Sequence, residues 1–161
     1  MRRTFGRIIT DLAKADESLI LITGDVECAG MEEFKRLFPN RYINIGIAEQ
    51  TMIGVAAGMA FEGVRPVVFS ITPFLIERPF EFWKLEGHFQ QARIMGVGYD
   101  SYPVGKFGPT QTPIDARGLM ALLPGIRCFY PKNGRETETM LRQAYDHDGP
   151  SFVHLTRDPD A

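Results

Sequence analysis

The chain has 161 residues, a net charge of −2 and ordinary apolar and charged fractions, 44% and 24%, which bounds it to one domain with a sizeable core. It has no basic stripe, so neither nucleic acid nor a membrane is an expected partner. Its two cysteines, Cys28 and Cys128, form no disulfide framework and no metal-ligand pattern. Arg2-Arg3-Thr4-Phe5 is followed too soon by Asp11 and Lys14 for an apolar export segment. A cytoplasmic protein with spectator thiols is expected.

From Phe5, the apolar positions Ile8, Ile9, Leu12 and Ala15 recur at helical spacing. Residues 18–23 carry four successive apolar positions, 19–22, and run into Gly24-Asp25, as in a strand buried on both faces of a parallel sheet. A helical piece with Phe34 and Leu37 runs into the breaker Pro39-Asn40, and Tyr42-Ile43 is a brief strand feeding the next helix. That helix contains Glu49-Gln50-Thr51-Met52-Ile53-Gly54-Val55-Ala56-Ala57-Gly58. Gly54 and Gly58, four apart, leave a bare face on which another backbone could lie. Glu49 near its first turn complements the helix dipole. If it enters the apolar interior, it must find a hydrogen-bond partner or keep its proton.

Residues 65–70 form a further strand with Pro66 at its edge, and one helix is expected over 74–91, carrying Trp83, Leu85 and Phe89. A strand over 93–98 leads into a loop, 99–113, rich in glycine and proline and long enough to suggest function. A short helix near Leu119, a strand over 126–130, a helix over 136–146 and a strand over 151–155 complete the chain. The alternation predicts an α/β, doubly wound, mainly parallel sheet with helices on both faces, in a single domain over 1–161. Ligands of such sheets gather at the carboxyl ends of the strands. Attention therefore falls on Gly24-Asp25-Val26, on 70–74, on 99–111 and on the mouth of the Glu49 helix.

Ile45-Gly46-Ile47-Ala48-Glu49-Gln50, together with Pro73-Phe74-Leu75, Arg78, Gly108-Pro109-Thr110 and His147-Asp148-Gly149-Pro150, resembles the pyrimidine-binding domain of transketolase-family, thiamine-diphosphate-dependent enzymes. The resemblance implies that Glu49 hydrogen-bonds the cofactor's ring nitrogen N1′. This favours the imino tautomer, whose 4′ nitrogen takes the C2 proton. It also implies that Phe74 packs on the aminopyrimidine, with core packing as the rival role. Ile71 stands where the family often has another aromatic, and supplies an apolar wall. Asp25 matches an acidic position near the cofactor, with a turn or cap aspartate as the alternative. Arg78 either meets a substrate anion or pairs at the surface.

The family's Gly-Asp-Gly…Asn motif, which holds the diphosphate and its magnesium ion, is absent from this sequence. The resemblance therefore implies a transferase active only with a separately encoded diphosphate-binding subunit that also holds Mg, in an α2β2 heterotetramer. The family loop reads roughly His-Asp-Ser…Asp-Gly-Pro-Thr-His-Gln. Here Tyr99, Phe107 and Gln111 replace both histidines and the acid of the second motif. Gln111 cannot act as acid or base near neutral pH. The activities left open are transfer of a two-carbon ketol or acyl unit, a decarboxylating acyloin former, a non-catalytic partner protein, and an unrelated nucleotide-binding domain. His88, His147 and His154 show no ligand spacing, and no metal is assigned to this chain's residues.

Overall fold

A computed structural model describes residues 1–101 and 105–157. Six strands form one sheet, all parallel to their neighbours, in the order β2-β1-β3-β4-β6-β5. They are β1 (Leu19–Thr23), β2 (Tyr42–Asn44), β3 (Arg65–Ile71), β4 (Met95–Tyr99), β5 (Arg127–Phe129) and β6 (Ser151–Leu155). The helices are α1 (Arg2–Ala15), α2 (Met31–Leu37), α3 (Glu49–Phe61), α4 (Thr72–Ile76), α5 (Phe80–Phe82), α6 (Ala116–Ala121) and α7 (Gly134–Asp146). Among the described residues no helix is long and apolar enough to cross a membrane.

The strands are apolar on both faces because each face is covered. Leu19, Leu21, Val67, Phe69 and Val97 share a core with Phe5, Ile8 and Ile9 of α1, Phe34 of α2 and Leu141 of α7. Ile22, Val68 and Phe152 share the opposite core with Met52 and Ile53 of α3, Trp83 and Met120 of α6. This is the three-layer, doubly wound arrangement that the element order implies. The chain leaves β1 toward β2 on one side and returns to β3 on the other, so the strand order reverses between β1 and β3. Pro66 is tolerated in this inner strand because pairing with β4 starts only at Val67.

The helix expected over 74–91 is instead three pieces: α4, α5 and a π-helix over Trp83–Phe89. Pro79 is the reason, since its ring cannot fit against the carbonyl four residues back and it has no N–H to donate there. That carbonyl, Leu75 O, instead accepts the Trp83 indole N–H at 2.8 Å. The bare face of α3 also differs from expectation. A methyl at Gly54 would meet the Phe82 ring at 3.7 Å rather than a backbone, and one at Gly58 would meet nothing. Tyr99, expected to open the long loop, is the last residue of β4. The middle of that loop, 102–104, lies outside the described residues. Its far end is a short 3-10 turn over Pro109–Gln111.

Candidate functional site

Three connections, those after β1, β2 and β3, meet at the carboxyl edge of the sheet near the β1/β3 reversal. β1 ends at Thr23, and the missing side chain of the next residue, Gly24, leaves room for a neighbour: a methyl there would stand 3.4 Å from Glu49 Oε1 and 3.4 Å from Gly46 O. After β2, Gly46 adopts a left-handed backbone at φ +77, which turns the chain sharply into α3. Glu49, the first residue of α3, is thereby aimed inward and is only 2% exposed.

The partner that burial demands comes from the turn after α4. Arg78 Nη1 donates to Glu49 Oε1 at 3.2 Å and to Oε2 at 3.1 Å. The Arg78 guanidinium carbon also lies 3.7 Å from the centroid of the Phe74 ring, four residues earlier. Arg78 is 38% exposed at its side chain, so this ion pair joins a buried anion to a half-open cation. It is therefore not a fully solvated surface pair, since its acidic partner is buried. Phe74, half-buried, packs against the α1-side core, while its neighbours Leu75 and Ile76 enter the opposite core. α4 thus caps the end of the sheet. Ile71, at the end of β3, is buried beside it.

Asp25 sits apart from this trio. Its backbone is left-handed (φ 58), its side chain is exposed, and it is interlocked with Asn44. The Asp25 N–H donates to Asn44 Oδ1 at 3.0 Å, and Asn44 Nδ2 donates back to Asp25 Oδ1 at 3.2 Å. Asn44 Oδ1 also accepts the Gly46 N–H at 3.0 Å, fixing the turn that delivers Glu49. Asn44 is a positioning residue that the sequence reading missed. Its signal was an amide side chain just before the glycine turn.

The three substituted loop positions make their contacts elsewhere. The Tyr99 ring stacks on Phe69 at 5.1 Å, and Arg2 covers it at 5.1 Å. Burial pushes the Tyr99 phenol up despite the Arg2 charge, so it stays a neutral hydroxyl. It borders a cavity of about 640 Å³ shared with Arg2, Arg3, Cys28 and Thr156. Gln111 Oε1 accepts the Ser101 hydroxyl at 2.8 Å, tying the loop's two ends together. Phe107 is 51% exposed with Lys106 near its ring. His154 Nε2 and Asp100 Oδ1 are 2.7 Å apart, a pairing across β6 and the end of β4 that sequence spacing does not announce. Among the described residues no cluster of histidine, cysteine or acidic groups could hold a metal ion.

The comparisons agree with this architecture. The family model described as "Transketolase, pyrimidine binding domain" matches residues 1–159. The 1-deoxy-D-xylulose-5-phosphate synthase of Acinetobacter baumannii is 35% identical over 155 residues, covering 95% of this chain and 24% of that protein. The synthase of the same name from Desulforudis audaxviator is 32% identical over 154 residues, covering 95% and 24%. The chain thus spans about a quarter of the length of these curated relatives. A solved structure described as "Split gene transketolase, inactive beta4 tetramer" superposes with a TM-score of 0.85 at 25% identity, over 98% of this chain and 50% of that one. A transketolase from Campylobacter jejuni shares the fold with a TM-score of 0.80 at 23% identity, over 98% and 25%. The chain belongs to the family of transketolase pyrimidine-binding domains.

Proposed function

We propose that the chain is the pyrimidine-binding subunit of a split, transketolase-like enzyme that works with thiamine diphosphate. In this reading it transfers a two-carbon ketol or acyl unit together with a second polypeptide. The observation that carries the reading is the gap between Phe74 and Glu49. A flat group with N–H donors lies there, against an aromatic face and within hydrogen-bond reach of a buried carboxylate. The guanidinium is a stand-in with the shape and donor pattern of a protonated aminopyrimidine. The buried acceptor and the aromatic face therefore fit the cofactor's ring.

Bound thiamine diphosphate supplies a nucleophilic carbon at C2 of its thiazolium ring. Glu49 would hydrogen-bond ring nitrogen N1′ of the bound cofactor, in a place where water is scarce. Phe74 packs on one face of the ring, and Ile71 closes an apolar wall beside it. Asn44, through Gly46, fixes the direction from which the carboxylate arrives. The diphosphate and its magnesium ion belong to the partner, which carries the Gly-Asp-Gly…Asn motif. An α2β2 heterotetramer places the site between subunits. The split-gene relative, of which this chain matches half, supports a divided enzyme.

The loop favours a particular donor. Tyr99 is a buried, neutral phenol, Gln111 is held by Ser101, and Phe107 presents an apolar ring. None supplies the acid–base pair that handles sugar hydroxyls. This supports the acyloin-forming, decarboxylating variant as the second reading.

The test is co-purification with the diphosphate-binding chain, followed by titration with thiamine diphosphate and magnesium. The complex is expected to bind the cofactor, and the isolated chain to bind it negligibly. Glu49→Gln is expected to leave the complex assembled and to lower turnover at least ~10²-fold. Full activity in that variant would refute the role given to Glu49.

A further inference from the structure

We propose that Arg78 is a built-in occupant of the ring seat, which the cofactor must displace in order to bind. This rests on reading the gap between Phe74 and Glu49 as the seat of an aminopyrimidine, and it adds a regulatory step to that reading.

Two contacts define such a seat: a planar group at stacking distance from the aromatic face, and N–H donation to the buried carboxylate. Arg78 makes both. Its guanidinium carbon is 3.7 Å from the Phe74 centroid, close enough to cover that face of the ring. Two flat groups cannot share one aromatic face at that spacing. Both Glu49 oxygens accept from the same Nη1. The reason for an occupant is physical. A carboxylate as buried as Glu49 needs a compensating charge or donor at all times, not only when cofactor is bound.

The arginine is also placed to leave. It follows the last turn of α4 and precedes Pro79, where the helix is already broken. Its side chain is 38% exposed, so its outward path is open without unfolding an element. Arg78 thus closes the site in the chain alone and opens it by rotation. The opening exposes the Phe74 face and leaves Glu49 for the ring nitrogen.

The measurement is the binding of thiamine diphosphate, with magnesium, to the co-purified complex, followed by quenching of intrinsic fluorescence at equilibrium and in stopped flow. In the wild-type complex the observed binding rate should level off as cofactor rises, because departure of Arg78 becomes limiting. In Arg78→Ala the rate should rise linearly and the affinity should tighten about tenfold, since the competing closed state is gone. Arg78→Lys keeps a charge but not the planar fork, and should fall between the two. It serves as the reading where the alanine variant fails to assemble. Affinity that is unchanged or weaker in these variants overturns the inference and leaves the cofactor assignment standing. Failure of every complex, wild type included, to bind the cofactor overturns both.

Discussion

Glu49 and Arg78 are separated by 29 residues in sequence, yet each makes the other tolerable. The carboxylate is almost fully buried and the cation is not, so the pair is asymmetric. Removing the cation strands a buried anion; removing the anion leaves an arginine that still reaches solvent. Arg78→Ala is therefore expected to cost the isolated chain about 2 kcal/mol, below the range for wholly enclosed pairs because Arg78 is partly exposed. In a Glu49→Gln background the same change should cost only about 0.5 kcal/mol, since no stranded charge remains. Urea denaturation of the four proteins measures this directly. Equal costs in both backgrounds would show that Arg78 acts through Phe74 alone. The first half of this arrangement was legible in the sequence: an acid entering an apolar helix must find a donor. Its identity was not, because the partner lies across the β3–α4 corner and no local pattern encodes that meeting.

The same division holds among the elements. The strands were readable because burial on both faces writes an uninterrupted apolar run, as in residues 19–22 and 67–69. The parallel sheet followed from the alternation with helices. The region 74–91 was misread as one helix because its apolar spacing stays helical across Pro79. Pro79 was the sequence signal for the break, and the structure shows Trp83 Nε1 donating to the Leu75 carbonyl that it abandons. Glycine was equally ambiguous by sequence alone. In α1, a methyl at Gly6 would fall 2.5 Å from the carbonyl carbon of Gly30, so two backbones touch there. In α3, Gly58 is exposed, with nothing near a would-be Cβ. Gly58→Ala should raise the stability of the isolated chain by about 1 kcal/mol through helix propensity. Gly6→Ala should lower it by about 2 kcal/mol through the forced separation of α1 from Gly30. Thermal unfolding distinguishes them by sign. A loss at Gly58 would mean that α3 is not free on that side.

Across the whole molecule, the candidate site and a hydrogen-bonded knot occupy opposite ends of the sheet. The carboxyl ends of β1 and β3 carry Glu49, Phe74 and Arg78, whereas the amino ends are stitched together around Asp16. Asp16 Oδ1 accepts the Ser18 N–H at 2.8 Å and the Ser18 hydroxyl at 2.6 Å, and Oδ2 accepts the Tyr145 hydroxyl at 2.7 Å. Arg41 donates to Asp16 O and Ala13 O, closing the end of α1, and Arg65 lies over the Tyr145 ring and donates to its carbonyl. One carboxylate thus links α1, the start of β1 and α7. Partial burial works against its charge, but the Ser18 and Tyr145 donors outweigh that and hold it below its ordinary value of 3.8. A carboxyl depressed in the folded state stabilises fully above the unfolded value and loses that contribution as pH falls through the folded one. Asp16→Asn should cost about 1 kcal/mol at pH 7, because the charged hydrogen bonds it weakens are partly screened by solvent. Its stability should also fall less steeply than wild type below about pH 4. Urea midpoints collected from pH 7 to pH 2 test this, and parallel acid limbs for the two proteins would remove Asp16 as the cause. Because the knot lies at the far end of the sheet from Glu49, the same variant should bind cofactor in the complex as wild type does. A shift in that affinity would mean that the two ends of the sheet are coupled.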